Sequence, residues 1–379
     1  MTEEVFITRL SNFFPNDPVS NDEMEDFLGL IDNETSKGKG LVLRNNKIKN
    51  RYYAIDKEGN ITHTNAELTL EAIKKLLDSS FSLDDLELLA CGTTSPDQLL
   101  PSHATMVHGL LKTKPLEIVS TGGSCNAGMH AMKYSFMSIK SGNSQNAVCT
   151  GSERLSVMMH SNNFNYEAKR LKELEKNPVI AFEKDFLRWM LSDGAGAALL
   201  QNEPNSNDIS LRIDWIEMKS FANELETCMY FGAEKQSDGS LKGWLDHDSS
   251  EWLEKSLFAM KQDVKLLSSN LVEKGGDYLS EVLNKRGFDV NEIDYFLPHI
   301  SSEYFRSKVE KITKKIGRHI PQEKWFTNLV DVGNVGSASV FLMLEELFNS
   351  GKLKKGEKVF LMVPESARFS YSYALLTVV

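Results

Sequence analysis

The chain has 379 residues, 41% hydrophobic and 25% charged, which is enough apolar material for a large core and leaves room for two domains. Its formal net charge of −10 at pH 7 argues against a nucleic-acid partner, which calls for a basic surface. Cys91, Cys125, Cys149 and Cys228 lack metal-ligand spacing, and neither a cleavable leader nor an apolar run of about 18 residues is seen, so a cytoplasmic protein with reduced thiols, no metal and no membrane span is expected.

In chain order, residues 66–77 read as a helix with Leu68, Leu70, Ile73, Leu76 and Leu77 apolar, and 86–91 as a buried strand ending at Gly92. Residues 118–120 form a β-branched strand that runs through Gly122 and Gly123 into a helix over 127–139, with Cys125 at the junction. A thiol at a helix start meets free backbone N–H groups and the positive end of the dipole, both of which favour the thiolate. Cys125 is therefore the expected nucleophile. Cys91 and Cys149 lie inside apolar strands and read as core, and His103, His108, His130 and His160 read as helix decoration.

Residues 146–150 form another buried strand, closed by Gly151-Ser-Glu153. The segment 154–191 reads as an insertion whose charged run, 167–176, forms a solvated helix. A strand of small residues at 193–200 permits close backbone approach; its glycines lack the following helix that a phosphate loop needs. The polar stretch 202–208 marks a linker between an N-terminal half, 1–205, and a C-terminal half, 206–379. In the second half the pattern repeats as a strand at 209–218, helices at 252–274 and 278–286, a strand at 294–297, a helix at 303–316, a glycine loop, a helix at 337–348 and two final strands. Strands alternating with helices predict an α/β protein with a mostly parallel sheet, and two similar halves point to an internal duplication.

His299 stands just past the carboxyl end of the 294–297 strand, and Asn334 sits in a glycine-flanked loop that opens a helix. Both are places where α/β sheets build sites. A thiol beside an imidazole is an activated nucleophile, and an amide can hold a carbonyl oxygen or orient the imidazole. Together Cys125, His299 and Asn334 can form, stabilise and release a thioester. A papain-like hydrolase shares this order of residues, but the tryptophan expected beside its nucleophile is absent.

Thr94-Ser-Pro-Asp97 with Leu99-Leu-Pro-Ser102, Ser124-Cys125, Gly151-Ser-Glu153, Asp193-Gly-Ala-Gly-Ala197, His299, and Gly333-Asn334 with Ser337-Ala-Ser339 together resemble β-ketoacyl-acyl carrier protein synthase III, in order and across nearly the whole chain. The resemblance implies the thiolase fold, a five-layered αβαβα sandwich of two related halves, working as a homodimeric acyltransferase without a cofactor. Its substrates would be thioesters of coenzyme A or of the phosphopantetheine of an acyl carrier protein. Cys125 would take an acyl group while His299 and Asn334 hold the thioester carbonyl of the second substrate as a carbon–carbon bond forms. Leu100 would reach across the dimer into the partner's acyl tunnel, and a backbone amide of Ser366 or Ala367 would supply the oxyanion donor.

The chain also departs from that family. His299-Ile-Ser-Ser302 replaces His-Gln-Ala-Asn, the terminal loop Pro364-Glu-Ser-Ala-Arg-Phe369 has no glycine, and Arg44-Asn-Asn-Lys-Ile-Lys-Asn-Arg51 keeps only part of an Arg-x-Gly-Ile-x-x-Arg entry. These departures point to a specialised relative, similar to the ketosynthases of dialkylresorcinol, flexirubin and aryl polyene-type pathways, in which two β-ketoacyl units are joined. They also resemble acyltransferases of this fold that move an acyl group to an alcohol or amine. An acidic carrier protein needs a local basic surface, for which Arg44, Arg51, Arg306 and Lys308 are the expected residues.

Overall fold

The computed structural model describes residues 3–31, 33–36, 38–164 and 187–379; the charged helix expected at 167–176 lies outside the described residues. Nine strands form the main sheet: β1 (Phe6–Phe13), β2 (Leu88–Thr93), β3 (Glu117–Thr121), β4 (Asn146–Glu153), β5 (Gly194–Gln201), β6 (Leu211–Ser220), β7 (Tyr295–Pro298), β8 (Lys358–Glu365) and β9 (Ser370–Val378). Their order is β7-β8-β9-β6-β1-β5-β4-β2-β3.

Two parts of this sheet meet where β1 pairs with β6, at Phe6 with Arg212 and Ile7 with Leu211. Outward from that seam the strand directions repeat. On one side β1, β5 and β4 are antiparallel in turn, and β4, β2 and β3 are parallel. On the other side β6, β9 and β8 are antiparallel in turn, β8 and β7 are parallel, and a single parallel bridge from Phe296 to Trp325 stands where a fifth strand would lie.

The layers follow from the two-residue alternation of side chains along each strand. Leu89 and Cys91 of β2 and Ala195, Ala197 and Leu199 of β5 pack under α1 (Asn65–Lys74) and α2 (His103–Leu111). Leu88, Ala90, Ala198 and Leu200 point the other way, onto α3 (Ala127–Lys140) and α6 (Ser339–Asn349), where Val359, Leu361, Ala374 and Leu376 of the second half join them. The opposite faces of β8 and β9, with Phe360, Met362, Tyr371 and Tyr373, pack under α4 (Val264–Arg286) and α5 (Arg306–Lys315). Both faces of each half-sheet are therefore covered, giving five layers, αβαβα, with α3 and α6 in the middle.

The middle layer brings the two halves' loops together. A Cβ on Gly128 of α3 would lie 2.4 Å from the Ser337 carbonyl oxygen, and one on Gly151 of β4 only 2.3 Å from it. Glycine is required at both for the loop before α6 to seat against the start of α3. Gly196 of β5 plays the expected close-approach part, since its Cβ would fall 2.4 Å from that of Phe341.

The two helices expected at 252–274 and 278–286 are corrected. A one-turn helix, Glu251–Glu254, and a two-residue strand, Lys261–Gln262, precede one 23-residue helix, α4. Asp263 starts α4 by accepting the Leu266 N–H at 2.8 Å. Gly275 and Gly276 fail to break it, although each glycine costs about 0.5–1 kcal/mol inside a helix. They stand where α4 comes closest to its neighbours: a Cβ on Gly275 would meet Tyr371 at 2.9 Å, and one on Gly276 would meet Ile312 at 2.4 Å. His103 is corrected as well, being buried with its Nε2 3.1 Å from the hydroxyls of both Thr69 and Ser152.

Candidate active site

Strand β3 ends at Thr121, and Cys125 stands two residues before α3 begins. The Asn126 side chain does not cap α3. Its Nδ2 donates to Ser370 Oγ at 2.9 Å and its Oδ1 accepts from Ser372 Oγ at 2.7 Å, which ties the start of α3 to β9 in the other half. Cys125 is 8% exposed, and the Ser124 hydroxyl donates to its Sγ at 3.7 Å.

Burial pushes the Cys125 thiol up to about 12; the Ser124 hydrogen bond opposes this, and the carboxylates of Glu365 and Glu153 add to it. The expected standing thiolate is thereby corrected to a resting thiol. The helix-start field remains, but desolvation outweighs it. Alkylation by iodoacetamide, followed by intact mass, is expected to quicken about tenfold per pH unit from pH 7 to about pH 10. A rate already level near neutrality would reveal a preformed thiolate instead.

His299 follows β7, and its N–H donates to the Met362 carbonyl at 2.7 Å. The ring is 3% exposed, its Nε2 is buried without a hydrogen-bond partner, and burial lowers its pKa to about 4. The imidazole is therefore neutral at physiological pH. Asn334 is pinned through its main chain: its N–H donates to Met190 O at 3.0 Å, and its carbonyl accepts from Ser192 N at 2.9 Å. Gly336 N donates to Asn334 Oδ1 at 3.0 Å, which leaves Nδ2 as the free donating end of the amide.

Glu153, at the end of β4, is buried and holds these loops in register. Its carboxylate accepts from Ser337 N at 3.1 Å, Thr94 N at 3.1 Å and Ser95 Oγ at 2.7 Å. One residue thus fixes the Asn334 loop to the turn after β2.

Two cavities open on the cysteine. The larger spans about 590 Å³, part of it open to solvent, and is lined by Cys125, His299, Leu271, Gly275, Val309 and Tyr373 among others. The smaller, about 420 Å³, is lined by Cys125, Asn334, Leu187, Met190, Met229 and Met260 among others. Cys125, Ser301 and Ser366 border both. His299 lines the larger cavity and Asn334 the smaller, and Cys125 lines both.

The remaining expected residues divide. Ser366 is at the junction, with its Oγ accepting from Gln262 Nε2 at 3.1 Å. The Ala367 N–H is taken by the Glu365 carboxylate, so Ala367 is corrected as an oxyanion donor. Leu100 is 87% exposed and lines neither cavity. Arg51 is corrected as a docking residue: it is fully buried, donating to Asn21 Oδ1 and, at 2.8 Å, to the Trp189 carbonyl. Arg44 is exposed and bonds only locally, to Gly40 O at 3.3 Å. Arg306 is paired with Glu303 at 2.5 Å, and Lys308 donates to Ser268 Oγ at 2.9 Å and lies 4.4 Å from the Tyr304 ring centroid.

Gln262 and Ser301 are cavity residues that sequence reading misses. Gln262 was hidden inside an expected helix. Ser301 carried a signal, since it stands two residues after His299 at a strand end. Among the described residues no group of three His, Cys, Asp or Glu side chains could hold a metal ion, and no helix is long and apolar enough to cross a membrane.

Residues 283–372, which hold His299 and Asn334, match the family described as 3-oxoacyl-[acyl-carrier-protein (ACP)] synthase III C terminal. Over 351 residues the chain is 25% identical to a β-ketoacyl-[acyl-carrier-protein] synthase III of Clostridium perfringens, covering 92% of each chain. The corresponding enzyme of Aquifex aeolicus is 24% identical, again over 92% of each. Among solved structures, AbyA1, a tetronic acid condensing enzyme, superposes with a TM-score of 0.76 at 19% identity, covering 98% of this chain and 99% of that one. OleA from Xanthomonas campestris, crystallised with lauric acid and lauroyl-CoA, gives 0.72 at 19% identity over 100% of both chains. The fold is thus that of these thiolase-fold proteins.

Proposed function

We propose that this chain, an acyltransferase-type condensing enzyme of the β-ketoacyl-[acyl-carrier-protein] synthase III family, joins two β-ketoacyl thioesters as in dialkylresorcinol or aryl polyene-type biosynthesis. The observation that carries the reading is the junction itself: a buried thiol between a chamber holding a neutral imidazole and a chamber holding a donating amide.

In the first step Cys125 Sγ attacks the thioester carbonyl, its proton passes to His299, and the departing thiolate of coenzyme A or the carrier takes that proton. In the second step the incoming thioester's carbonyl oxygen sits against the His299 ring N–H and the Asn334 Nδ2. The carbon between the two carbonyls of a β-ketoacyl unit is acidic, and donors on the oxygen stabilise its enolate. That carbon gives up a proton as it attacks the Cys125 thioester; the carbon–carbon bond forms, the carbon–sulfur bond breaks, and the proton ends on the departing Cys125 sulfur, restoring the resting thiol.

Arg44, Arg306 and Lys308 are the basic groups offered to an acidic carrier protein. The exposed pair Leu99 and Leu100, 72% and 87% accessible, fits a face that a second copy covers. Two differently isotope-labelled β-ketoacyl-CoA substrates test the reading: a product carrying both labels joined by carbon–carbon bonds is expected. Free acids alone, or labelled esters and amides formed only with an added alcohol or amine, would replace it with acyl transfer.

A further inference from the structure

We propose that the hydroxyls of Ser301 and Ser366, the latter set by Gln262, hold the 3-oxo oxygen of the acyl group carried on Cys125 and so select β-ketoacyl over saturated acyl thioesters, a substrate class that rests on the condensing reading above. Ser301 and Ser366 line both cavities together with Cys125, and Gln262 lines the smaller one. Two of the three stand where the chain departs from the synthase III pattern: Ser301 in the stretch His299-Ile-Ser-Ser302, and Ser366 in the terminal loop that has no glycine. Gln262 comes from the short strand Lys261–Gln262.

The other serines around the site have their protons engaged. Ser124 Oγ donates to Cys125 Sγ at 3.7 Å, Ser337 Oγ to the Ser152 carbonyl at 3.2 Å, Ser370 Oγ to the Glu365 carboxylate at 3.0 Å and Ser372 Oγ to Asn126 Oδ1 at 2.7 Å. Ser301 and Ser366 differ. Ser301 Oγ has no hydrogen-bond partner among the described residues, and Ser366 Oγ accepts from Gln262 Nε2 at 3.1 Å but donates to none of them. Gln262 is 3% exposed, and because its amide fills an acceptor position on Ser366 Oγ, the Ser366 proton is left for a ligand. The main-chain donors of the same turn are not available in its place, since the Glu365 carboxylate takes the N–H groups of Ala367 and Ser370.

Two O–H donors bordering one sulfur, in a smaller cavity otherwise walled by Met190, Leu191, Met229 and Met260, suit a group that is apolar but for one accepting oxygen. A ketone oxygen carries two lone pairs and no proton, so it satisfies both hydroxyls at once. In a β-ketoacyl thioester that oxygen sits on the carbon two beyond the one bound to sulfur, and it stays close to Cys125 once the group is loaded. A saturated chain of the same length buries both hydroxyls unpaired, a loss of about tenfold for each.

Single-turnover loading of Cys125 from decanoyl-CoA and from 3-oxodecanoyl-CoA, followed by intact mass, tests this in the native protein, Ser301→Ala, Ser366→Ala and Gln262→Leu; Ser366→Ala keeps the main-chain amide. The native protein is expected to prefer the 3-oxo donor at least about a hundredfold, and each serine variant to lower that ratio about tenfold. Gln262→Leu should lower it as well, but add nothing to Ser366→Ala, because Gln262 acts through Ser366. Should Gln262→Leu lose folding, the serine variants decide alone. A native ratio near one, or serine variants that slow both donors equally and leave the ratio unchanged, would overturn the 3-oxo site; carbon–carbon product formed with a second thioester would still uphold the condensing reading. A ratio that falls as expected in a protein that forms no such product would uphold the site and overturn condensation.

Discussion

Cys125→Ser is expected to abolish the acyl adduct and to slow condensation by at least about 10³-fold, a loss read by intact mass and by product formation. A serine hydroxyl keeps the size and most of the packing of the thiol but has a far higher pKa. With the native thiol already raised to about 12 and the nearby imidazole lowered to about 4, nothing in the pocket can hold an alkoxide. Burial makes the thiol a poor acid, so in the proposed mechanism it loses its proton only as the sulfur attacks the thioester. Native-like turnover by the serine variant would remove Cys125 from the mechanism.

His299→Ala and Asn334→Ala are expected to differ in kind. Loss of His299 removes the proton acceptor for loading and one donor for condensation, and should cost on the order of 10³ in each step. Loss of Asn334 removes one donor from the second step, costing on the order of 10² there and far less in loading. Single-turnover measurement of each step separates the two. Equal damage to loading by both variants would contradict the division of labour between the two residues.

Much of this was legible in the residues. The junction of strand, paired glycines and helix at 118–139 placed Cys125 correctly at the mouth of α3 because local sequence sets that geometry. The places of His299 and Asn334 were legible for a related reason: one follows a strand, the other precedes the turn that opens a helix, and each lines a cavity that Cys125 also lines. What sequence could not supply was environment. The ionisation of Cys125 depends on burial and on Glu365 and Glu153, both remote from it along the chain and brought near only by the folded layers. Arg51 looked like a surface cation because nothing local reveals that Asn21 and Trp189 enclose it.

Helix α4 was misread at Gly275 and Gly276 because propensity marks a break there, while the tyrosines of β9, about a hundred residues later, reward the close approach that only glycine allows. Gln262 went unseen for a related reason: the short strand that aims it at the junction exists through its pairing with Met229 and Tyr230, not through its own pattern.

Peptide mapping after brief exposure to a β-ketoacyl-CoA tests the central claim most directly. The acyl mass is expected on the peptide containing Cys125, with Cys91, Cys149 and Cys228 unmodified, and it should leave as carbon–carbon product when a second thioester is added. An adduct on another cysteine, or one on Cys125 that a second thioester never discharges, would contradict the account.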